Sequence, residues 1–97
     1  MRKGLLDFVV LASLKKEARY PREIIGLLEK DGLNVVEGTL YPLFLRIMKQ
    51  NLVSYEWRET CGHPRKYYSL TKDGKKALEL YETEWKSINT AINHLIK

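Results

Sequence analysis

Toward the end of the chain, Leu78, Tyr81, Trp85, Ile88, Ile92 and Leu95 recur at steps of three, four, three, four and three residues. That alternation is the a/d seam of a coiled-coil helix, sustained over nearly three heptads. It predicts one helix of about 25 residues, which at 1.5 Å per residue is roughly 37 Å long. Thr71 is a good N-cap for it, and Asp73 lies in the first turn, where a carboxylate suits the helix dipole. The whole chain has 97 residues. A domain of that size has little surface on which to bury so long a stripe. The pattern therefore predicts that the same helix of a second copy covers it.

Residues 4–50 carry a different set of signals. Leu5, Leu6, Val9, Val10 and Leu14 form an amphipathic pattern that predicts a helix over 4–16, closed by Lys15, Lys16 and Glu17. Pro21 suits the first turn of a second helix, because its missing N–H costs nothing there. Glu23 shares that turn, and Ile24, Ile25, Leu27 and Leu28 give the apolar face. Asp31-Gly32 ends the helix, with glycine supplying a left-handed cap. Leu40, Leu43, Phe44 and Ile47, at i, i+3, i+4 and i+7, predict a third helix. Gly38-Thr39 is its expected capping pair, Pro42 confines its start to the residues just before, and Gln50-Asn51 is its expected stop.

The period then changes to two. Val53, Tyr55 and Trp57 alternate with Ser54, Glu56 and Arg58. A turn-rich stretch, Thr60-Cys61-Gly62-His63-Pro64, leads to a second extended run from Arg65 to Leu70. These features predict a two-stranded hairpin with a basic tip. Three short helices, a hairpin and a long trailing helix make an α+β chain of the winged helix-turn-helix pattern. Residues 1–71 form the expected DNA-binding part and 72–97 the expected dimerisation helix, within one compact unit.

In that arrangement the third helix enters the DNA major groove, and the hairpin, or wing, lies along the adjacent backbone or minor groove. Thr39 and Tyr41 bring hydroxyls to the start of the third helix, where backbone N–H groups also suit phosphate. Arg46 and Lys49 lie further along it, Tyr20 and Arg22 stand at the start of the second helix, and His63, Arg65 and Lys66 cluster at the wing. Arg65 and Lys66 alternate sides of a strand, so one of the two is expected to face DNA unless the tip twists.

Charge agrees with this division. The chain has 17 Lys and Arg against 12 Asp and Glu, a net charge of +5. Residues 1–71 carry +4 of it and residues 72–97 the remaining +1. No apolar run reaches the ~18–20 residues of a membrane span. Leu5–Leu14 is the longest candidate, and Asp7 and Ser13 interrupt it. Met1-Arg2-Lys3 is followed by no small-residue cleavage site, so no signal peptide is expected. A single cysteine, Cys61, excludes an intrachain disulfide framework and a multi-cysteine zinc site, and suits a reducing cytoplasm. His63 and His94 have no metal-ligand spacing. Nucleophile triads, paired carboxylates and phosphate loops are missing, so no enzyme, metal or cofactor is expected.

The run Gly38-Thr39-Leu40-Tyr41-Pro42-Leu43, continued by Arg46-Ile47 and Asn51-Leu52-Val53, resembles the recognition-helix signature of the PadR family of bacterial transcriptional regulators. Gly62 to Thr71, with Gly74 three residues later, resembles that family's wing and the start of its last helix. The chain departs from the pattern at Leu45-Arg46-Ile47-Met48-Lys49, which lacks a common Arg-Leu-Glu triplet, and at the wing tip, which carries Cys61 and His63. Its length resembles the short subfamily with a single C-terminal helix. The resemblance implies a homodimeric repressor on a pseudo-palindromic operator of double-stranded DNA. It also implies a dimer interface built from the first and last helices, here Leu5 and Val9 with Leu78, Tyr81, Trp85, Ile88, Ile92 and Leu95. Some short members bind flat aromatic effectors between tryptophans of the two last helices. Trp85 sits at the matching place, and Asn89, one turn on, offers it a polar companion. The competing expectation is a winged-helix module that binds protein without specific DNA recognition. The basic surface of the third helix and wing separates the two.

Overall fold

Pro21 opens a helix and Gly32 closes it in the computed structural model, which describes residues 4–97. Met1, Arg2 and Lys3 lie outside the described residues. The elements in order are α1 (Gly4–Ser13), α2 (Pro21–Lys30), α3 (Glu37–Lys49), β1 (Val53–Thr60), β2 (His63–Leu70) and α4 (Lys72–Leu95). The strands form one antiparallel hairpin in which Val53 faces Leu70 and Thr60 faces His63. This is an α+β winged helix, as expected.

Helices α2 and α3 end in the same way. The N–H of Leu33 reaches back to the Leu28 carbonyl at 2.9 Å, and that of Leu52 to the Ile47 carbonyl at 2.9 Å. The residue before each, Gly32 or Asn51, is left-handed, with φ of 86° and 61°. Both are Schellman caps, with asparagine standing in for glycine at the second.

Three boundaries differ from the sequence expectation. Helix α1 stops at Ser13 instead of running to 16. Its hydroxyl donates to the Val10 carbonyl, and the Leu14 and Lys15 amides close onto residues three back, so the last turn tightens and ends. Helix α3 starts at Glu37, before the expected Gly38-Thr39 cap, and its N-cap Val36 makes no side-chain bond. Pro42 lies inside the helix, where its missing N–H leaves the Gly38 carbonyl without its usual partner. The wing turn contains only Cys61 and Gly62, with φ of 53° and 82°. Two successive positive φ values are the signature of a type I′ hairpin turn, whose twist matches that of the strands. His63 and Pro64 therefore belong to β2.

The core draws on every element: Val10, Leu11 and Leu14 from α1, Ile24 and Leu28 from α2, Leu40, Leu43, Phe44 and Ile47 from α3, then Val53, Tyr68 and Leu78. Leu78 corrects one expectation. The heptad spacing places it on the intermolecular seam, but it is buried inside its own chain, because the first turns of α4 complete the core of residues 4–70. Tyr81 is half-buried and stacks on Phe8 at 5.4 Å between ring centroids. The free part of the seam begins at Trp85 and continues through Ile88, Ile92 and Leu95, all exposed. A charged contact also ties α3 to α1: Arg46 Nη2 donates to Oδ1 of the buried Asp7 at 2.6 Å.

The wing and α4 are joined at a tight crossing. The Thr71 hydroxyl donates to the Asn51 carbonyl and accepts from the Gly74 amide, and the Thr71 amide donates to the Leu52 carbonyl. A β-carbon on Gly74 would stand 1.9 Å from that same Leu52 oxygen. Gly74→Ala must move backbone at a point where three segments meet. It is expected to lower the unfolding free energy by about 1–3 kcal/mol. Urea denaturation followed by circular dichroism reads this as an earlier midpoint, and an unchanged midpoint would contradict the contact.

Candidate nucleic-acid interface

Tyr20 is the N-cap of α2, in extended conformation ahead of Pro21. Its ring meets the edge of Tyr67 on β2 at 5.3 Å, and the guanidinium of Arg65 lies 4.6 Å above it. The backbone arranges this meeting. Arg19 exchanges both hydrogen bonds with Tyr68, at 2.8 and 3.0 Å, so the connection before α2 is tied to the wing by a single antiparallel β-bridge.

Alternation along β2 sends Lys66 to the other face. There its Nζ lies 4.5 Å from the Tyr55 ring centroid and 5.5 Å from that of Trp57. Trp57 is directly opposite Lys66 in the hairpin and is exposed. A cation over an aromatic face is held without losing its charge to a carboxylate. On the opposite face Arg58 covers Tyr67 in the same way, at 4.7 Å, while its Nε also donates to Glu56.

The first turn of α3 adds a polar cluster. The Glu37 carboxylate accepts from Arg22 at 2.9 Å and from the Tyr41 hydroxyl at 3.0 Å. The hydrogen bond to Glu37, with smaller contributions from burial and from the carboxylate's charge, raises the Tyr41 pKa above the usual phenol value. Tyr41 therefore stays protonated and acts as a donor.

Tyr20, Arg22, Glu37, Tyr41, Arg65 and Lys66 border one concavity of about 460 Å³ between the start of α2, α3 and the wing. It brings together five of the nine residues expected to contact DNA: Tyr20, Arg22, Tyr41, Arg65 and Lys66. The alternation of Arg65 and Lys66 does not exclude either, because Arg65 folds over Tyr20 at the edge of the strand and reaches the same rim. Thr39 is exposed on the first turn of α3, Lys49 on its last turn, and His63 at the wing tip, all outside the concavity. Arg46 is directed to α1, where it serves the buried Asp7.

Two residues of the concavity were not anticipated as site residues. Glu37 is its only acidic lining residue, and Trp57 forms part of its wall. The four-residue spacing from Glu37 to Tyr41 was visible as a helix neighbour pair. Trp57 could be set opposite Lys66 only with the turn length known.

A second surface lies on the far side of the chain. Phe8 stacks on Tyr81 and lies 6.4 Å from Trp85. Leu5, Phe8, Trp85 and Ile88 line a shallow depression of about 340 Å³. Asn89 is exposed beside it on α4, and Val9 is half-buried on α1, toward a groove that α2 shares. Burial raises the Tyr81 pKa, and the nearby Asp7 carboxylate adds to the shift. Phe8 follows Leu5 by one helical turn, and that spacing puts both on the face of α1 that meets α4. No helix among the described residues is long and apolar enough to cross a membrane.

Comparison with known proteins identifies the family of the fold. The profile of the transcriptional regulator PadR-like family matches residues 10–80. The chain is similar to a PadR-like transcription factor from Bacteroides fragilis, with 47% identity and a TM-score of 0.84, covering 98% of this chain and 93% of that one. It is similar to a PadR-like transcriptional regulator from Bacillus cereus, with 34% identity, a TM-score of 0.89 and coverage of 98% and 94%. An uncharacterised protein of Lysinibacillus sphaericus is 30% identical over 95 residues, spanning 94% of this chain and 87% of that protein. The family is one of transcription regulators and not of enzymes. By its winged-helix fold, its sequence match and these relatives, the chain belongs to the PadR-like family of transcriptional regulators.

Proposed function

We propose that the protein is a cytoplasmic, homodimeric repressor that binds a pseudo-palindromic operator. Residues 1–71 contact the DNA and residues 72–97 pair the two copies. The observation that carries this reading is the convergence of Tyr20, Arg22, Tyr41, Arg65 and Lys66 around one end of α3. Helix α3 reads base edges while these groups fix register on phosphates. Thr39, Lys49 and His63, exposed around the same helix and wing tip, extend the contact. Two recognition helices then fall about 34 Å apart, in successive turns of the major groove.

A duplex from the protein's own upstream region is expected to bind more tightly than random duplex, with affinity falling linearly on a log–log plot against salt. Lys66→Glu should weaken binding to both duplexes and lower the salt slope by about 1. Fluorescence anisotropy across a salt series measures this. Equal affinity for both duplexes would remove the specific-repressor reading. No binding by the intact dimer would favour a protein-interaction module instead.

The dimer rests on the exposed strip Trp85, Ile88, Ile92 and Leu95, continued by Leu5 of α1. Tyr81 supports this strip from within through Phe8. Sedimentation at micromolar concentration is expected to give twice the 11.4 kDa of one chain. Replacing both Ile88 and Ile92 by lysine should give monomer or unfolded chain, because like charges would then be buried together. A folded monomeric wild type would defeat the proposal.

A planar aromatic effector between the two Trp85 side chains, with Asn89 beside it, would release the DNA. Trp85 is both exposed and flanked by Phe8. Its emission in a Trp57→Phe background should change as such compounds are titrated, with DNA affinity falling in parallel. Constant emission and affinity would argue against an effector of this class.

A further inference from the structure

Glu37 is an anomaly on the face just described. It is the one acid among the residues lining a concavity whose rim carries Arg22, Arg65 and Lys66. Its position is not that of a stray surface carboxylate. As the first residue of α3 it is fixed by the helix start, and both its oxygens are engaged, one by Arg22 and one by the Tyr41 hydroxyl. Arg22 makes no other ion pair among the described residues, and its side chain is 68% exposed, so the pair can open without disturbing the core. An arginine and a phenol converging on a pair of anionic oxygens is also how proteins hold a DNA phosphate.

We propose that Glu37 is a specificity-determining residue that occupies, toward Arg22 and Tyr41, the place a DNA phosphate takes in the complex. This rests on the DNA-binding reading above and deepens it. On random duplex the arriving phosphate must displace the carboxylate and then lie close to it. Two like charges a few ångströms apart repel, more strongly where the groove excludes water and salt. At the operator the displaced carboxylate, at the entrance of α3 to the major groove, accepts instead from the amino group of a cytosine. That is the base edge a glutamate reads. Glu37 thus penalises every site that lacks the matching donor, and it gains discrimination by weakening the wrong complexes more than the right one.

The test uses Glu37→Gln, which keeps size and polarity and removes the charge. Its affinity for random duplex is expected to rise about three- to five-fold, the scale of one exposed charge pair. The salt slope should steepen by about 0.9 as Arg22 becomes free to neutralise one more phosphate. The ratio of operator to random affinity should fall. Arg22→Ala should cost more random-duplex affinity in the Glu37→Gln background than in the wild type. In the protein without DNA, the Tyr41 phenol, followed by NMR of its ring carbon, should titrate at lower pH once the carboxylate is gone. Unchanged or weaker random-duplex binding by Glu37→Gln would overturn the proposal, and so would an equal Arg22→Ala cost in both backgrounds. An unmoved Tyr41 titration would show that the cluster does not exist in the free protein. Failure of the wild type itself to bind any duplex is a different result, and it would remove the DNA-binding reading together with this one.

Discussion

Tyr68 holds the wing to the rest of the molecule, and the geometry of the whole basic face depends on it. Its ring packs on Phe44 at 4.3 Å, and its backbone exchanges two hydrogen bonds with Arg19. The first contact sets the wing against α3, and the second sets it against the entrance to α2. A hairpin alone would be marginally stable in water. Anchored twice at one residue, it gains a buried ring and a backbone bridge to Arg19. Tyr20 and Arg65 follow from that anchor on one side, and Lys66 with Tyr55 and Trp57 on the other. Arg65 and Lys66 make no ion pair among the described residues and lie on aromatic rings, which order a cation without cancelling its charge, whereas Arg58 covers Tyr67 and also pairs with Glu56.

The long helix has two kinds of work, and its heptad pattern hides the difference. Leu78 faces the core of its own chain, Tyr81 faces Phe8, and only from Trp85 onward does the strip lie open. The first two turns of α4 are thus part of the winged helix, locked by Gly74 against Leu52. The later turns of α4 are linked to the wing through the short crossing at Thr71, whose hydroxyl bonds both Asn51 and Gly74.

The architecture was legible because each element declares itself locally. Pro21, Gly32, Thr71 and the change from helical period to alternation at Val53 mark the boundaries without tertiary knowledge. The details that escaped depend on contacts between segments distant in the chain. Leu78 cannot be divided from Ile88 by spacing, since both occupy the same seam; only the core beneath Leu78 distinguishes them. Helix α3 begins earlier than its good capping residues suggest, because Val36 in extended conformation suffices to start it. The wing turn is shorter than its run of turn-forming residues, because two left-handed residues, Cys61 and Gly62, complete it. In the site, residue type identified the cations, but not which were already engaged.

Arg46 shows why that last distinction matters. On sequence it lies two turns after Thr39 and looks available to DNA. In the fold it is the partner of Asp7, which is 8% exposed and has no other hydrogen bond among those described. A carboxylate that far from water needs such a partner, so the guanidinium is held toward α1. Asp7 is one residue from Phe8, which lies against Tyr81 and Trp85. The contact therefore connects the last turn of α3 to the helix that borders the exposed strip of α4. Arg22 is engaged differently, by an accessible carboxylate on the concavity itself. One pair is built to stay closed and the other can exchange partners. A count of positive residues would treat them alike, whereas the burial of their partners, Asp7 at 11% side-chain exposure and Glu37 at 36%, separates a structural charge from one that is free to meet a phosphate.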